Sequence, residues 1–177
     1  MRIEQTEIEG VVILRWELVE DDRGSFARTF CKEQMDAAGL SFSVVQANIS
    51  RNAAKHTLRG LHMQRAPHGE PKIVSCPRGR IWDVAVDMRE DSQTYRKWLA
   101  LELHQEGNCA LHLPEGVAHG FLTLEADSEV HYLMAAPYVP SAATGFRWDD
   151  AALGIEWPHE PAVISQRDAS YPLTGDA

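Results

Sequence analysis

Apolar and polar positions alternate most cleanly over Arg80–Met88. Ile81, Asp83, Ala85 and Asp87 fall on one face of an extended segment, and Trp82, Val84, Val86 and Met88 on the other. A period of two is the mark of a β-strand. Similar short runs recur at Gly10–Leu18, Phe42–Ile49, Thr57–Gln64, Lys72–Ser75, Trp98–Leu103, Cys109–Leu113, Gly120–Leu124 and Val130–Ala135. Glycine and proline punctuate them, as in the turn at Pro77-Arg78-Gly79. Short strands with turns at this density predict a sandwich or barrel. One helix is expected at Lys32–Ala38, stopped by Gly39. The C-terminal third, with Trp148-Asp149-Asp150, Trp157-Pro158 and Ser165–Asp168, reads as loops and short turns that wrap the barrel. No repeat, linker or low-complexity tract divides the chain, so residues 1–177 are read as a single domain.

Composition is that of an ordinary globular protein, 44% hydrophobic and 24% charged, so a full core is expected. The formal charge of −9 argues against nucleic acid as a partner, because neutralising phosphates needs a basic surface. The charge is unevenly placed, however. From Arg51 to Arg80 there are seven Lys/Arg against one acid, Glu70, so this window carries +6 and the remainder −15. A positive island in an acidic protein attracts small anions, and a histidine within it suggests chemistry as well as binding. Three scattered cysteines (Cys31, Cys76, Cys109) make no disulfide framework and read as reduced thiols of a cytoplasmic protein. No apolar run approaches the roughly 20 residues of a membrane span, and Met1–Glu7 shows no signal-peptide core.

Two segments carry the candidate chemistry. Leu113-Pro-Glu-Gly-Val-Ala-His-Gly-Phe121 contains Pro-x-Gly-x-x-His, the later half-motif of a cupin jelly roll, in which a tight turn delivers the histidine into the barrel. Thr57-Leu-Arg-Gly-Leu-His-Met-Gln64 supplies Gly60-x-His62 on an earlier strand. The two histidines can then face one cavity. The expected fold is all-β, a cupin-type double-stranded β-helix (jelly roll) with short flanking helices. A metal is not expected. Gln64 stands where metal-binding cupins place a second histidine, Glu70 lies off the usual spacing, and Arg59 and Lys72 would repel a cation. The alternative is a metal cupin that uses Glu70 as third ligand.

The set of motifs resembles the dTDP-4-dehydrorhamnose 3,5-epimerase family from end to end. The matching segments are Asp22–Phe26, Gln46-Ala47-Asn48, Leu58–Gln64, Lys72, Gly79–Arg89, Leu113–Phe121, Tyr132, Tyr138-x-Pro140, Trp148–Asp150, Gly154–Pro158 and Ser165–Asp168. The resemblance implies a homodimeric jelly roll that uses no cofactor and epimerises a nucleoside-diphosphate 4-keto-6-deoxysugar. It implies roles as well: His62 as base, Asp168 as its paired acid, Lys72 near O4 and Tyr132 as proton donor at C5. Arg59 and Arg23 would clamp the diphosphate, and Gln46 and Asn48 would contact the nucleotide or sugar. His119 would line the sugar pocket, oriented by Asp83. Taken singly, each of these residues has a bland reading as core, turn or surface; the joint pattern reverses it for His62, Lys72, Tyr132 and Asp168. His56, His68, His104, His112, His131 and His159 keep the bland reading, as do Arg78 and Arg80.

Two positions depart from the family pattern. Arg28 and Ala143 stand where glutamates on the nucleotide side are common, which opens the choice of nucleotide (dTDP, CDP, GDP or UDP) and of one or two inverted centres. A sugar-nucleotide binding protein without turnover is the remaining alternative. One structural expectation follows from spacing alone. Arg59 and His62 would point to opposite faces of a regular strand, so both reach one ligand only if Gly60 sits at a bulge or kink.

Overall fold

The computed structural model describes residues 1–175. In chain order its elements are β1 (Arg2–Gln5), β2 (Val12–Arg15), β3 (Leu18–Asp21), β4 (Gly24–Ala27), α1 (Lys32–Ala37), β5 (Gln46–Asn52), β6 (Thr57–Gln64) and β7 (Lys72–Arg78). There follow β8 (Arg80–Asp87), β9 (Trp98–His104), β10 (Cys109–Leu113), β11 (Val117–Thr123), β12 (Ser128–Met134), β13 (Ala143–Gly145), β14 (Val163–Ile164) and α2 (Gln166–Ala169). One sheet runs β1-β2-β10-β7-β12-β5 and the other β13-β6-β11-β8-β9, with β14 added in parallel beside β6. The hairpin β3-β4 stands apart from both. This is the expected all-β jelly roll with two short helices.

The alternation of β8 explains the layering. Ile81 and Ala85 join Val74, Leu111, Phe121 and Val130 in an inner cluster drawn from both sheets. Val84 and Val86, with Trp82 and Met88, pack on the opposite face against Leu153, Phe146, Ile155 and Trp157. The C-terminal third therefore seals the outside of one sheet, which is why the Trp82–Met88 face of β8 is apolar although it points away from the inner cluster. The outside of the other sheet is sealed by α1 and the loop after it, where Met35 and Phe42 cover Val12, Leu14, Ile73 and Ala110. Each fully buried Leu, Ile or Phe in these layers contributes about 1.5–3 kcal/mol. Helix α1 stops as expected: Gly39 takes φ +76°, Gly39 N–H bonds Asp36 O and Leu40 N–H bonds Met35 O, a Schellman cap.

Several expected boundaries move. Gly10–Leu18 is not one strand: β2 ends at Arg15, and Leu18 opens the separate hairpin. The strand expected at Phe42–Ile49 begins instead at Gln46 and runs to Asn52; Phe42 is core but lies in a loop. β7 continues through Pro77 to Arg78, because Pro77 falls where the β7–β12 register shifts and no ladder donor is needed.

The expected irregularity at Gly60 is present. Phe121 pairs with Arg59 but His119 pairs with His62, so β6 carries one residue more than β11. Gly60 has φ +133°, and a Cβ there would lie 2.5 Å from Gly120 Cα and 3.0 Å from His119 O. Only glycine fits both the conformation and the approach. The extra residue brings Arg59 and His62, three apart, to the same cavity.

Candidate active site

A cavity of about 320 Å³ opens between the two sheets. β6 contributes Arg59, His62 and Gln64, and β11 contributes His119 and Phe121. From the facing sheet come Asn48 and Ser50 on β5, Lys72 on β7, and Tyr132 and Met134 on β12.

His62 Nε2 lies 2.8 Å from Asp168 Oδ1. Asp168 is 4% exposed and is held by the folding of the chain's end. β14 pairs with the first residues of β6, Ser165 then caps α2 by accepting from Asp168 N–H, and Asp168 Oδ2 accepts from Gly60 N–H. Burial alone would raise the Asp168 carboxyl; His62, with the Gly60 and Ser165 contacts, outweighs it and holds the group below its ordinary range. The bond through Nε2 leaves Nδ1 of His62 as the nitrogen available to take a proton.

A second dyad lies alongside. His119 Nε2 is 2.7 Å from Asp83 Oδ1, and both side chains are buried. Tyr132 packs edge-on against the His119 ring, with centroids 6.0 Å apart. Burial, reinforced by the Asp83 charge and opposed by Arg59, pushes the Tyr132 phenol far above its ordinary value. Tyr132 therefore holds its phenolic proton more firmly than a free tyrosine. Lys72 Nζ donates to Glu70 Oε1 at 2.8 Å, and Arg59 Nε donates to Asn52 Oδ1 at 2.8 Å, leaving the other guanidinium nitrogens for a ligand.

Of the residues singled out from sequence, His62, Lys72, Tyr132, Arg59, Asn48 and His119 line this cavity, and Asp168 and Asp83 sit directly behind its histidines. Gln46 does not line it; its carbonyl accepts from Tyr138 N–H at the cavity's edge. Arg23 lies away from it, on the exposed β3-β4 turn, paired with Asp21. Ala143 lines the cavity, whereas Arg28 stands outside it. The histidines read as bland stay out of it: His56 and His159 stack on each other, and His112 bonds Gly10 O. Sequence reasoning missed Tyr138, Thr144 and Arg167. Arg167 was within reach, since it precedes Asp168 in the same capped turn; its guanidinium lies over the Tyr171 ring, which packs edge-on against His62.

The donors do not converge as a metal site would require. Both histidines spend Nε2 on carboxylates, Glu70 is taken by Lys72, and among the described residues no three His, Cys, Asp or Glu side chains group around a point. What the arrangement can do is move protons: a dyad-held imidazole and a protonated phenol face each other across a cavity that also holds a buried ammonium. This jelly roll and its site define an isomerase of the cupin class, an epimerase.

Comparison with known proteins names the branch. The family model for dTDP-4-dehydrorhamnose 3,5-epimerase matches residues 5–176, and the chain belongs to that family. It is 40% identical over 173 residues to the dTDP-4-dehydrorhamnose 3,5-epimerase of Sinorhizobium fredii, covering 97% of this chain and 89% of that protein. The crystal structure of the Bacillus anthracis enzyme with TDP and PPi bound superposes with a TM-score of 0.94 at 34% identity, covering 97% of this chain and 98% of that one. The Legionella pneumophila dTDP-6-deoxy-D-glucose-3,5-epimerase in complex with dTDP-4-keto-L-rhamnose gives 0.92 at 33% identity, with 98% and 93% covered.

Proposed function

We propose that this chain inverts both C3 and C5 of dTDP-4-keto-6-deoxyglucose, a step toward a dTDP-rhamnose-type sugar. The hydrogens at these carbons are α to the C4 carbonyl. His62 takes the proton through Nδ1, while Asp168 holds the Nε2 proton and stabilises the imidazolium. The electron pair moves into the carbonyl as an enolate, and the Lys72 ammonium faces the charge that develops on O4. Tyr132 returns a proton at C5 from the other side, and the enolate at C3 takes its returning proton on that side from solvent. The observation that carries this reading is the placement of His62 and Tyr132 on opposing sheets of one cavity. A sugar ring between them is met by a base on one face and an acid on the other.

Arg59 and Asn48 suit the diphosphate and nucleotide, and His119, held by Asp83, suits the sugar. Arg23 can share the diphosphate only from a neighbouring molecule. The hairpin that carries it exposes Val19 (68%) and Phe26 (71%) without a core of its own, which favours a homodimer whose hairpins reach across. Gln46 keeps its amide N–H free toward the same edge. Free Cys31, Cys76 and Cys109 suit a cytoplasmic enzyme, and among the described residues no helix is long and apolar enough to cross a membrane.

The test is incubation with dTDP-4-keto-6-deoxyglucose in heavy water, following C3 and C5 by NMR. Deuterium at both carbons is expected. Deuterium at one carbon refutes double inversion, and deuterium at neither refutes the thymidine substrate.

A further inference from the structure

Glu70 belongs to no strand. It lies in the loop Arg65–Pro71 between β6 and β7, and that loop is fastened on several sides. Gln64 Nε2 donates to His68 O at 3.0 Å, His68 N–H to Arg65 O at 3.0 Å, and Ala135 N–H to Pro71 O at 2.9 Å. The result is a fixed carboxylate at the cavity wall, 2.8 Å from Lys72 Nζ. The two side chains are 11% and 5% exposed. Among the described residues Glu70 is the one hydrogen-bond acceptor of that ammonium.

We propose that Glu70 is a positioning residue for the epimerisation: its carboxylate holds the Lys72 ammonium aimed into the cavity. The proposal rests on the role of Lys72 at O4 given above. A four-carbon side chain without an anchor wanders among rotamers. Glu70 removes that freedom before substrate arrives. As O4 becomes an oxyanion, the ammonium is shared between two anions and no reorganisation of the site is needed. The alternative is that Glu70 only pins the loop.

The experiment compares the full chain with Glu70→Gln, Lys72→Met and the double variant. Initial rates and deuterium exchange are followed from pH 6 to 10, with dTDP affinity as a control on folding. For Glu70→Gln we expect kcat to fall about 10- to 100-fold with KM within about twofold. In the Lys72→Met background the same change should cost nothing further, because Glu70 acts through Lys72. Glu70→Asp, which keeps the charge, should recover part of the rate. An unchanged kcat overturns the proposal, as does an equal loss in both backgrounds. Full exchange in Lys72→Met alone would refute the role of Lys72 itself, and that result is read from the single variant.

Discussion

Gly60→Ala is the most demanding test of the site's construction. Two costs add. At φ +133° an alanine is in a region that L-residues avoid, at roughly 1–2 kcal/mol. Its Cβ would also stand 2.5 Å from the Cα of Gly120 and 3.0 Å from His119 O, and both are backbone atoms that no rotamer change can clear. Forced displacement in a packed interior costs about 1–3 kcal/mol more. The sum, about 2–5 kcal/mol, lowers the melting temperature of a domain this size by roughly 4–20 °C. Activity should suffer beyond stability. Gly60 N–H bonds Asp168 Oδ2, and His62 is two residues on, so the displaced backbone moves both halves of the dyad. A misplacement near 1 Å is worth about 100-fold in rate. Calorimetry and deuterium exchange measure the two effects. Gly24→Ala is the control: Gly24 has φ +117° but nothing within 4 Å of its Cβ, so it should show the conformational cost alone. Equal melting temperatures for Gly60→Ala and Gly24→Ala, with normal exchange in the former, would refute the close-approach argument.

Other expectations are briefer. His62→Ala should abolish exchange at both carbons while leaving the fold intact, since the imidazole is 40% exposed; NMR exchange and melting check both halves. Tyr132→Phe should spare exchange at C3 and block completion at C5, and normal turnover at both centres would remove Tyr132 from the mechanism. Asp168→Asn should lower kcat by about 1,000-fold or more, because the amide no longer favours the reactive tautomer or the imidazolium. It should also change acid stability. The Asp168 carboxyl is held below its ordinary value of 3.8, so its contribution is complete above that value and is lost as pH falls through the lower folded one. Below pH 4 the stability gap between wild type and Asp168→Asn should therefore narrow, as followed by urea titrations at several pH values.

Legibility in the sequence tracked burial. β8, β9 and β10 could be read directly because their apolar residues pack into layers. The hairpin β3-β4 and strand β1 escaped notice because they are four residues long and largely exposed, with no apolar face to announce them. β5 is an edge strand exposed along most of its length, so the apolar run before it drew the expected strand too early. At the site, His62 and His119 could be named from their half-motifs. Lys72, Tyr132 and the hundred-residue leap to Asp168 came from resemblance to a family, since only the fold brings β14 and α2 beside β6. Arg167 was passed over because an arginine in a turn has an ordinary surface reading, and nothing local shows that the turn is docked on a cavity.

The proposed base and acid, His62 and Tyr132, ride on different sheets. Their separation is thus held by whatever keeps the sheets apart, which is the inner cluster. Packed sheets stand about 10 Å from each other, and side-chain volume sets that gap. Val74, Ile81 and Leu111 line no part of the cavity, yet they act as the spacers of a caliper whose jaws are His62 and Tyr132. A methyl group added or removed among them alters the opening of the jaws, and with it the size of ring the two groups can grip at once.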